Sequence, residues 1–162
     1  MNFECPYRDE IYYAGIDLSL NATGLVMINN HGEIVEQKLI DTYTENYLCV
    51  EQRLLDILSE IKFLTCVNKL EKVYIEGLSY NSPGVTFHER CGLLYLVTTL
   101  LFDNDVIYKL IPPKTLKKWA VDNGNADKTI MMELSEKRWG IKFTDDNICD
   151  AYNLSQMARL EE

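Results

Sequence analysis

The sequence lacks several features that would restrict its fold or its location. No apolar run approaches the roughly 18 residues of a membrane-spanning helix. The first residues show no basic region followed by an apolar stretch, so no secretory signal is expected. The five cysteines form no CxxC pair and their number is odd, which favours reduced thiols over a disulfide framework or a zinc site. These absences predict a cytoplasmic protein with no membrane partner.

The composition is that of an ordinary globular protein with an uneven distribution of charge. At 162 residues, with 47% hydrophobic and 25% charged side chains, the chain is predicted to form one domain over residues 1–162. The net charge of −9 argues at first against nucleic acid, because phosphate binding depends on Lys and Arg. However, residues 109–142 carry eight basic groups against four acidic ones. This basic stretch fits a restricted DNA-binding surface and a solvated helical face equally well.

Three acidic residues stand where a short apolar run ends or a helix begins: Asp17, Glu76 and Asp150. A carboxylate that ends an apolar strand is costly to bury unless it is paired or binds a cation. Carboxylate oxygens are the ligands that Mg²⁺ and Mn²⁺ prefer, and these ions serve phosphoryl-transfer chemistry. If the fold brings the three residues together, they predict a metal-dependent enzyme that acts on phosphate esters.

Periodicity and turn residues predict a mixed α/β fold. The predicted strands are 11–17, 25–28, 33–40, 72–76 and 106–111, and the predicted helices are 47–64, 85–102, 114–122, 128–139 and 146–160. Tight turns at 21–24 and 29–32 join the first three strands into an antiparallel meander. Crossover helices then add two parallel strands, which gives a five-stranded sheet flanked by helices. Sites in such sheets form at strand ends.

Four sequence blocks and this element order resemble the RNase H-like nucleases. The blocks are GIDLSLNATG at 15–24, IE at 75–76, PKTLKK followed by GNADK between 113 and 128, and DDNICDAYNL at 145–154. Within that superfamily the chain is most similar to the RuvC family of Holliday junction resolvases, and the bacteriophage-encoded members look closest. A phage-encoded protein would act in the cytoplasm of the host cell.

The resemblance implies a catalytic centre with two Mg²⁺ ions, for which Mn²⁺ can substitute. Its ligands would be Asp17, Glu76 and Asp150, together with either Asp146 or Asn147. Family members commonly carry Asp or His at the position of Asn147, whereas Asp146 lies one residue earlier on the same face of the helix. The choice between the two stays open. The ions would activate a water and stabilise the departing 3′ oxygen, leaving 5′-phosphate and 3′-hydroxyl ends.

The resemblance also implies contacts with DNA. The residues expected to make them are Lys114, Lys117, Lys118, Lys128, Ser19, Asn21 and Tyr80. Lys128 joins the catalytic set because it is expected in the first turn of a helix, where a cation is not favoured unless an anion binds there. Ordinary turn chemistry explains Ser19 and Asn21 equally well. Either Tyr80 or Phe87 is a candidate for the aromatic residue that bacterial members insert at the crossover.

The leading functional hypothesis is an Mg²⁺-dependent, structure-selective DNA endonuclease that resolves four-way junctions and other branched DNA. The apolar run at 93–101 predicts a helix that is buried in the core or in a partner, and by resemblance it implies a homodimer with two active sites on one DNA face. The alternatives are a nuclease for structured RNA and a catalytically inactive junction-binding protein. The DxSxxxTG pattern also resembles a phosphate loop of sugar kinases and actin, but that fold needs two such domains. No small-molecule cofactor is expected.

Overall fold

A computed structural model describes residues 10–43, 46–67, 69–78 and 85–161 of the chain. The strands are β1 (Tyr12–Asp17), β2 (Ala22–Asn29), β3 (Ile34–Asp41), β4 (Leu70–Glu76) and β5 (Ile107–Ile111). The helices are α1 (Val50–Val67), α2 (Val85–Asp103), α3 (Pro113–Val121), α4 (Lys128–Trp139) and α5 (Asp146–Leu160). All ten elements were predicted in the correct order and type. The prediction was wrong at 22–24, which begin β2 and pair with the end of β3 instead of forming a turn.

The five strands form one mixed sheet in the order β3-β2-β1-β4-β5, which confirms the predicted architecture. The first three strands are antiparallel neighbours, whereas β4 is parallel to both β1 and β5. In the β1–β4 register, Ile16 lies beside Ile75. Asp17 and Glu76 each follow these residues, so both carboxylates come to the same edge of the sheet on neighbouring strands.

Helix α5 packs closely on one face of the sheet, against β1, β2 and β4. The packing is so close at Gly15 that a Cβ there would lie 1.9 Å from the carbonyl oxygen of Ala151. At Gly24 a Cβ would lie 2.2 Å from the carbonyl oxygen of Asn147. The helix begins with Asp145 as its N-cap, whose Oδ1 accepts hydrogen bonds from two backbone N–H groups. These contacts bring the first turn of α5 to the edge where β1 ends.

Helices α1 and α2 cover the opposite face of the sheet with an apolar core. The run at 93–101 was expected to be buried in the core or in a partner, and the structure shows that only one side of it is buried in the core. Val97 and Leu101 are fully buried, whereas the side chain of Tyr95 is 72% exposed and that of Leu96 is 43% exposed. In the described part of the chain, no helix is both long and apolar enough to cross a membrane.

Candidate metal centre

Asp17, Glu76 and Asp150 meet at the carboxyl edge of the sheet. Each offers a carboxylate oxygen, and the three oxygens all lie within 4.8 Å of one another. Asp17 and Glu76 end neighbouring parallel strands, and Asp150 comes from the start of α5, which crosses β1 at Gly15. Among the described residues, this is the one group of three or more potential metal ligands of these types.

Burial and the charges of neighbouring carboxylates raise the pKa values of all three carboxyl groups. Burial raises the pKa of Asp17 well above its usual value, and the charges of Glu76 and Asp150 raise it further. Burial, followed by the charge of Asp150, raises the pKa of Glu76 to about 7. The pKa of Asp150 rises to about 6, again chiefly through burial. Without a cation, the three groups therefore resist full ionisation at neutral pH.

The oxygen atoms of the cluster fit a divalent cation. Asp150 Oδ1 is buried and accepts no hydrogen bond from any residue in the described ranges. Such an orphaned buried oxygen is costly unless another electropositive group satisfies it. Carboxylate oxygens without sulfur or imidazole nitrogen favour hard ions such as Mg²⁺ or Mn²⁺. Asp17, Glu76 and Asp150 could therefore hold a metal ion.

The two candidates for a fourth ligand have different surroundings. Asp146 forms an ion pair with Lys128, and its negative charge still contributes to the raised pKa values of Asp17 and Asp150. The side-chain Nδ2 of Asn147 donates to Asp145 Oδ1 at 3.2 Å, which ties this amide to the cap of α5. The charge of Asp146 therefore acts on the carboxylate cluster, whereas the side-chain amide of Asn147 is hydrogen-bonded to the cap residue Asp145.

The predicted DNA-binding lysines separate into two groups. Lys117 and Lys128 act on the cluster, because their positive charges lower the pKa values of Glu76 and Asp150. Lys118 instead donates to the carbonyl of Asp122 at 2.9 Å. The side chain of Lys114 is exposed beside the apolar cavity between α2 and β5.

Lys128 begins α4, as the sequence predicts, but it needs no bound anion to explain its position. Its ammonium pairs with the carboxylate of Asp146 on the neighbouring helix. The N-terminus of α4 is capped separately by Asp127, whose side chain accepts from the backbone N–H of Ile130 at 2.9 Å. A contact within the chain therefore accounts for this helix position, and the role of Lys128 at a substrate phosphate stays a prediction.

Ser19 and Asn21 lie in the β1–β2 turn directly after Asp17, where their side chains accept hydrogen bonds from the protein itself. Ser19 Oγ accepts from the backbone N–H of Asn21 at 3.3 Å. Asn21 Oδ1 accepts from Nη2 of Arg53, a buried residue of α1, at 2.6 Å. Tyr80 lies outside the described residues. Phe87, the alternative aromatic, lines the apolar cavity between α2 and β5.

Sequence reasoning missed two basic residues near the sheet edge. Arg53 stabilises the β1–β2 turn, since it also donates to the carbonyl of Leu20 at 2.6 Å. Arg90, on α2, is half-buried, and its charge lowers the pKa of Glu76. Neither residue belongs to a recognisable sequence block. The one available signal for Arg90 was its helical spacing from Leu93 and Val97, which are core residues of the same helix.

We expect the metal-free protein to lose stability as the pH rises from 5 to 8. Glu76 and Asp150 have pKa values of about 7 and about 6, above the ordinary values of 4.5 and 3.8. The folded state therefore holds protons that the unfolded chain has released, and this stabilisation disappears as the pH rises through the folded-state pKa values. The loss is on the order of 3 kcal/mol for each group. Thermal melting in EDTA across this pH range measures it.

Asp150→Asn and added Mg²⁺ provide the controls for this pH dependence. The amide removes one titrating group, so the variant should show a flatter pH profile than the original protein. Saturating Mg²⁺ at pH 8 should restore stability to the original protein, because a metal binds the ionised carboxylates of the folded state. A melting temperature that is constant from pH 5 to 8 in both proteins would contradict the raised pKa values.

The chain was compared with known proteins. No protein-family model matches it. The crossover junction endodeoxyribonuclease RuvC of Brachyspira hyodysenteriae is 28% identical over 143 residues, which cover 85% of this chain and 86% of that protein. The structure of Thermus thermophilus RuvC matches with a TM-score of 0.74 and 17% identity, over 89% of this chain and 90% of that one. The same protein in complex with a Holliday junction substrate gives a TM-score of 0.75 at equal identity and coverage.

These matches confirm the class of fold that the element order predicts. The chain has the RNase H-like fold, with the carboxylate cluster at the carboxyl edge of its sheet. Within that class, the chain is similar in sequence and in fold to the RuvC proteins of these two organisms, in agreement with the resemblance of the four sequence blocks. The closer relationship to bacteriophage-encoded members stays a prediction.

Proposed function

We propose that this protein is a metal-dependent endonuclease that resolves four-way DNA junctions and cuts related branched DNA. The observation that carries the proposal is the convergence of Asp17, Glu76 and Asp150, with one orphaned buried oxygen, on a RuvC-like fold. The similarity to a crossover junction endodeoxyribonuclease over most of both chains supports DNA as the substrate. The basic stretch at 109–142 supports it as well.

In the proposed metal centre, the acidic residues at the sheet edge bind the metal ions. Two Mg²⁺ ions, when bound, supply an activated water and stabilisation of the departing 3′ oxygen. Asp17, Glu76 and Asp150 hold them, and we favour Asp146 over Asn147 as the fourth ligand because its charge already acts on the cluster. The products carry 5′-phosphate and 3′-hydroxyl ends.

Lys117 and Lys128 would contact phosphates of the substrate. Lys117 is held in place by the carbonyl of Ala126, which accepts from its Nζ at 2.6 Å, and it remains close enough to act on Glu76. Lys128 is paired with Asp146. Asp146 would help to hold the metal ions, and its ion pair with Lys128 keeps the ammonium charged and close to the site.

Cleavage of labelled substrates tests the proposal. A four-way DNA junction, a linear DNA duplex with the same arm sequences and a structured RNA are incubated with the protein in Mg²⁺, Mn²⁺ or EDTA. We expect paired nicks in the junction with either metal, religatable by DNA ligase, and none in EDTA. Preferential cleavage of the RNA would favour the alternative nuclease. Tight junction binding without cleavage in any metal would favour an inactive binding protein.

We also propose a homodimer that uses the outer side of α1 and α2. This side exposes an unusual number of large apolar side chains for one surface: Leu55, Phe63, Tyr95, Leu96 and Phe102.

A species of twice 18.8 kDa is expected in sedimentation at micromolar concentration. Leu96→Glu should shift it to the monomer and turn paired nicks into single ones. Val35→Glu is the control, since Val35 is similarly exposed on β3. A monomeric original protein would contradict this part.

A further inference from the structure

Arg90 lies where helix α2 passes over the carboxyl edge of the sheet. Because α2 connects β4 to the parallel strand β5, it starts at the edge where β4 ends and runs back across the sheet. Leu93, Leu94 and Val97 are buried against the sheet, and Arg90 precedes them by three, four and seven positions, on the same helix face. Helical side chains lean towards the N-terminus of their helix, and that end of α2 lies beside the end of β4, where Phe87 and Cys91 line one cavity with Gly77 and Leu78.

The electrostatics of Glu76 agree with this placement. Burial and the charge of Asp150 raise the pKa of Glu76, while the positive charges of Lys117, Arg90 and Lys128 oppose the rise, in that order of size. Arg90 therefore stands with the two lysines as a cation that acts on the cluster, although it comes from the opposite face of the sheet. The half-buried position of its side chain strengthens its field relative to an exposed residue.

The side chains of Lys117, Lys128 and Arg90 differ in whether they have a hydrogen-bond or ion-pair partner within the protein. Lys128 is paired with Asp146, and Lys117 donates to the carbonyl of Ala126. The side chain of Arg90 forms neither a hydrogen bond nor an ion pair within 4.0 Å with any residue of the part of the chain that the structure describes. A guanidinium carries five N–H donors in a planar fork that matches two oxygens of one phosphate. Arg90 is thus charged, held near the cluster and open to an anionic ligand.

From this geometry we propose that Arg90 binds a phosphate of the cleaved DNA strand beside the carboxylate cluster. The inference rests on the proposed nuclease function and adds a contact from α2 to it. A phosphate placed between the guanidinium and the cluster would be held from both sides of the sheet edge. Lys117 and Lys128, from α3 and α4, would hold it from one side and Arg90 from the other. Such a clamp orients the scissile bond relative to the metal ligands.

Two substitutions of Arg90 and one control test the contact. Arg90→Gln removes the charge and the fork, whereas Arg90→Lys keeps only the charge. Lys69→Gln is the control, because Lys69 is exposed and directly precedes β4, at the opposite edge of the sheet. Single-turnover cleavage of the junction in Mg²⁺ and junction binding in EDTA are measured at several salt concentrations, together with the melting temperature in EDTA and in Mg²⁺.

The expected pattern separates a DNA contact from a structural role. Arg90→Gln should slow cleavage by about 10- to 100-fold, the effect of losing one good charged contact to a nucleic acid. It should also lower the slope of log affinity against log salt by about 0.9, the value for one phosphate. Arg90→Lys should keep that slope and recover part of the rate. Lys69→Gln should match the original protein in both. Removal of a cation beside the carboxylates should leave the Mg²⁺-induced rise in melting temperature at least as large as before.

Two results would overturn the assignment. One is an Arg90→Gln protein with the original cleavage rate and salt slope. The other is an Arg90→Gln protein that loses the Mg²⁺-induced rise in melting temperature, since this would make Arg90 a support of the metal centre instead of a DNA contact. A failure of the proposed function itself looks different, because the original protein would then not cut the junction, whether or not it binds.

Discussion

Asp17→Asn is expected to abolish junction cleavage while it stabilises the metal-free protein. The substitution removes one carboxylate from the three that converge at the sheet edge and leaves the side chain almost the same shape. Loss of a single preorganised electrostatic contact to a transition state typically costs about 100- to 1,000-fold in rate, and a metal ligand should cost at least as much. Single-turnover cleavage of a labelled four-way junction in saturating Mg²⁺ measures the loss.

The stabilising half of the prediction follows from the raised pKa of Asp17. Burial, and then the charges of Glu76 and Asp150, make its ionised form unfavourable in the folded state. An uncharged amide avoids this cost at pH 8, where the carboxyl group of the unfolded chain is ionised. We expect a higher melting temperature in EDTA, by about 3 °C for each kcal/mol gained. We also expect the Mg²⁺-induced rise in melting temperature to be much smaller than in the original protein.

Asp41→Asn is the matched control for this experiment. Asp41 also ends a strand at the same edge of the sheet, but its side chain is exposed and lies outside the close group of carboxylates. Asp41→Asn should therefore cleave normally and respond normally to Mg²⁺. If Asp17→Asn and Asp41→Asn cut the junction equally fast, the metal assignment is wrong.

The convergence of the three carboxylates could be predicted from the sequence, because it depends on where strands and helices end and on how the strands pair. Asp17 and Glu76 each end a short apolar run, and parallel pairing of two such runs brings their ends together. The position of Asp150 in the first turns of the predicted helix 146–160 was equally visible. The apolar periodicity of these strands and helices is regular and ends at recognisable residues, and it predicted the order of the elements correctly.

The parts that could not be predicted depend on contacts between distant segments. Ala22 and Gly24 have the local chemistry of a turn, and only their pairing with β3 makes them a strand. The ion pair of Lys128 with Asp146 joins two helices, and the approach of Arg90 to Glu76 crosses from α2 to β4. No local pattern encodes such pairs, so a sequence reading assigns these side chains to solvent or to an external ligand.

Gly15→Ala is expected to cause the largest loss of stability among glycine-to-alanine substitutions in the described part of the chain. A Cβ at position 15 would lie 1.9 Å from the carbonyl oxygen of Ala151 and 2.5 Å from the backbone nitrogen of Ser155. Both are main-chain atoms of α5, so no side-chain rotation can relieve the overlap. The helix must move away from β1, along a face that contributes much of the buried core. We expect a destabilisation of about 3 kcal/mol or more, measured by urea unfolding.

Gly92→Ala is the matched control, since it makes the same chemical change inside helix α2. Apart from the nearby backbone of its own helix, no atom of the described residues lies within 4 Å of the position of its Cβ, so alanine should stabilise the protein by about 0.5–1 kcal/mol through its better helix propensity. The displacement of α5 by Gly15→Ala should also separate Asp150 from Asp17. Any folded Gly15→Ala protein should therefore lose the Mg²⁺-induced rise in melting temperature, while Gly92→Ala keeps it. Equal stability and equal Mg²⁺ response in the two variants would contradict the view that contact between α5 and β1 positions the metal ligands.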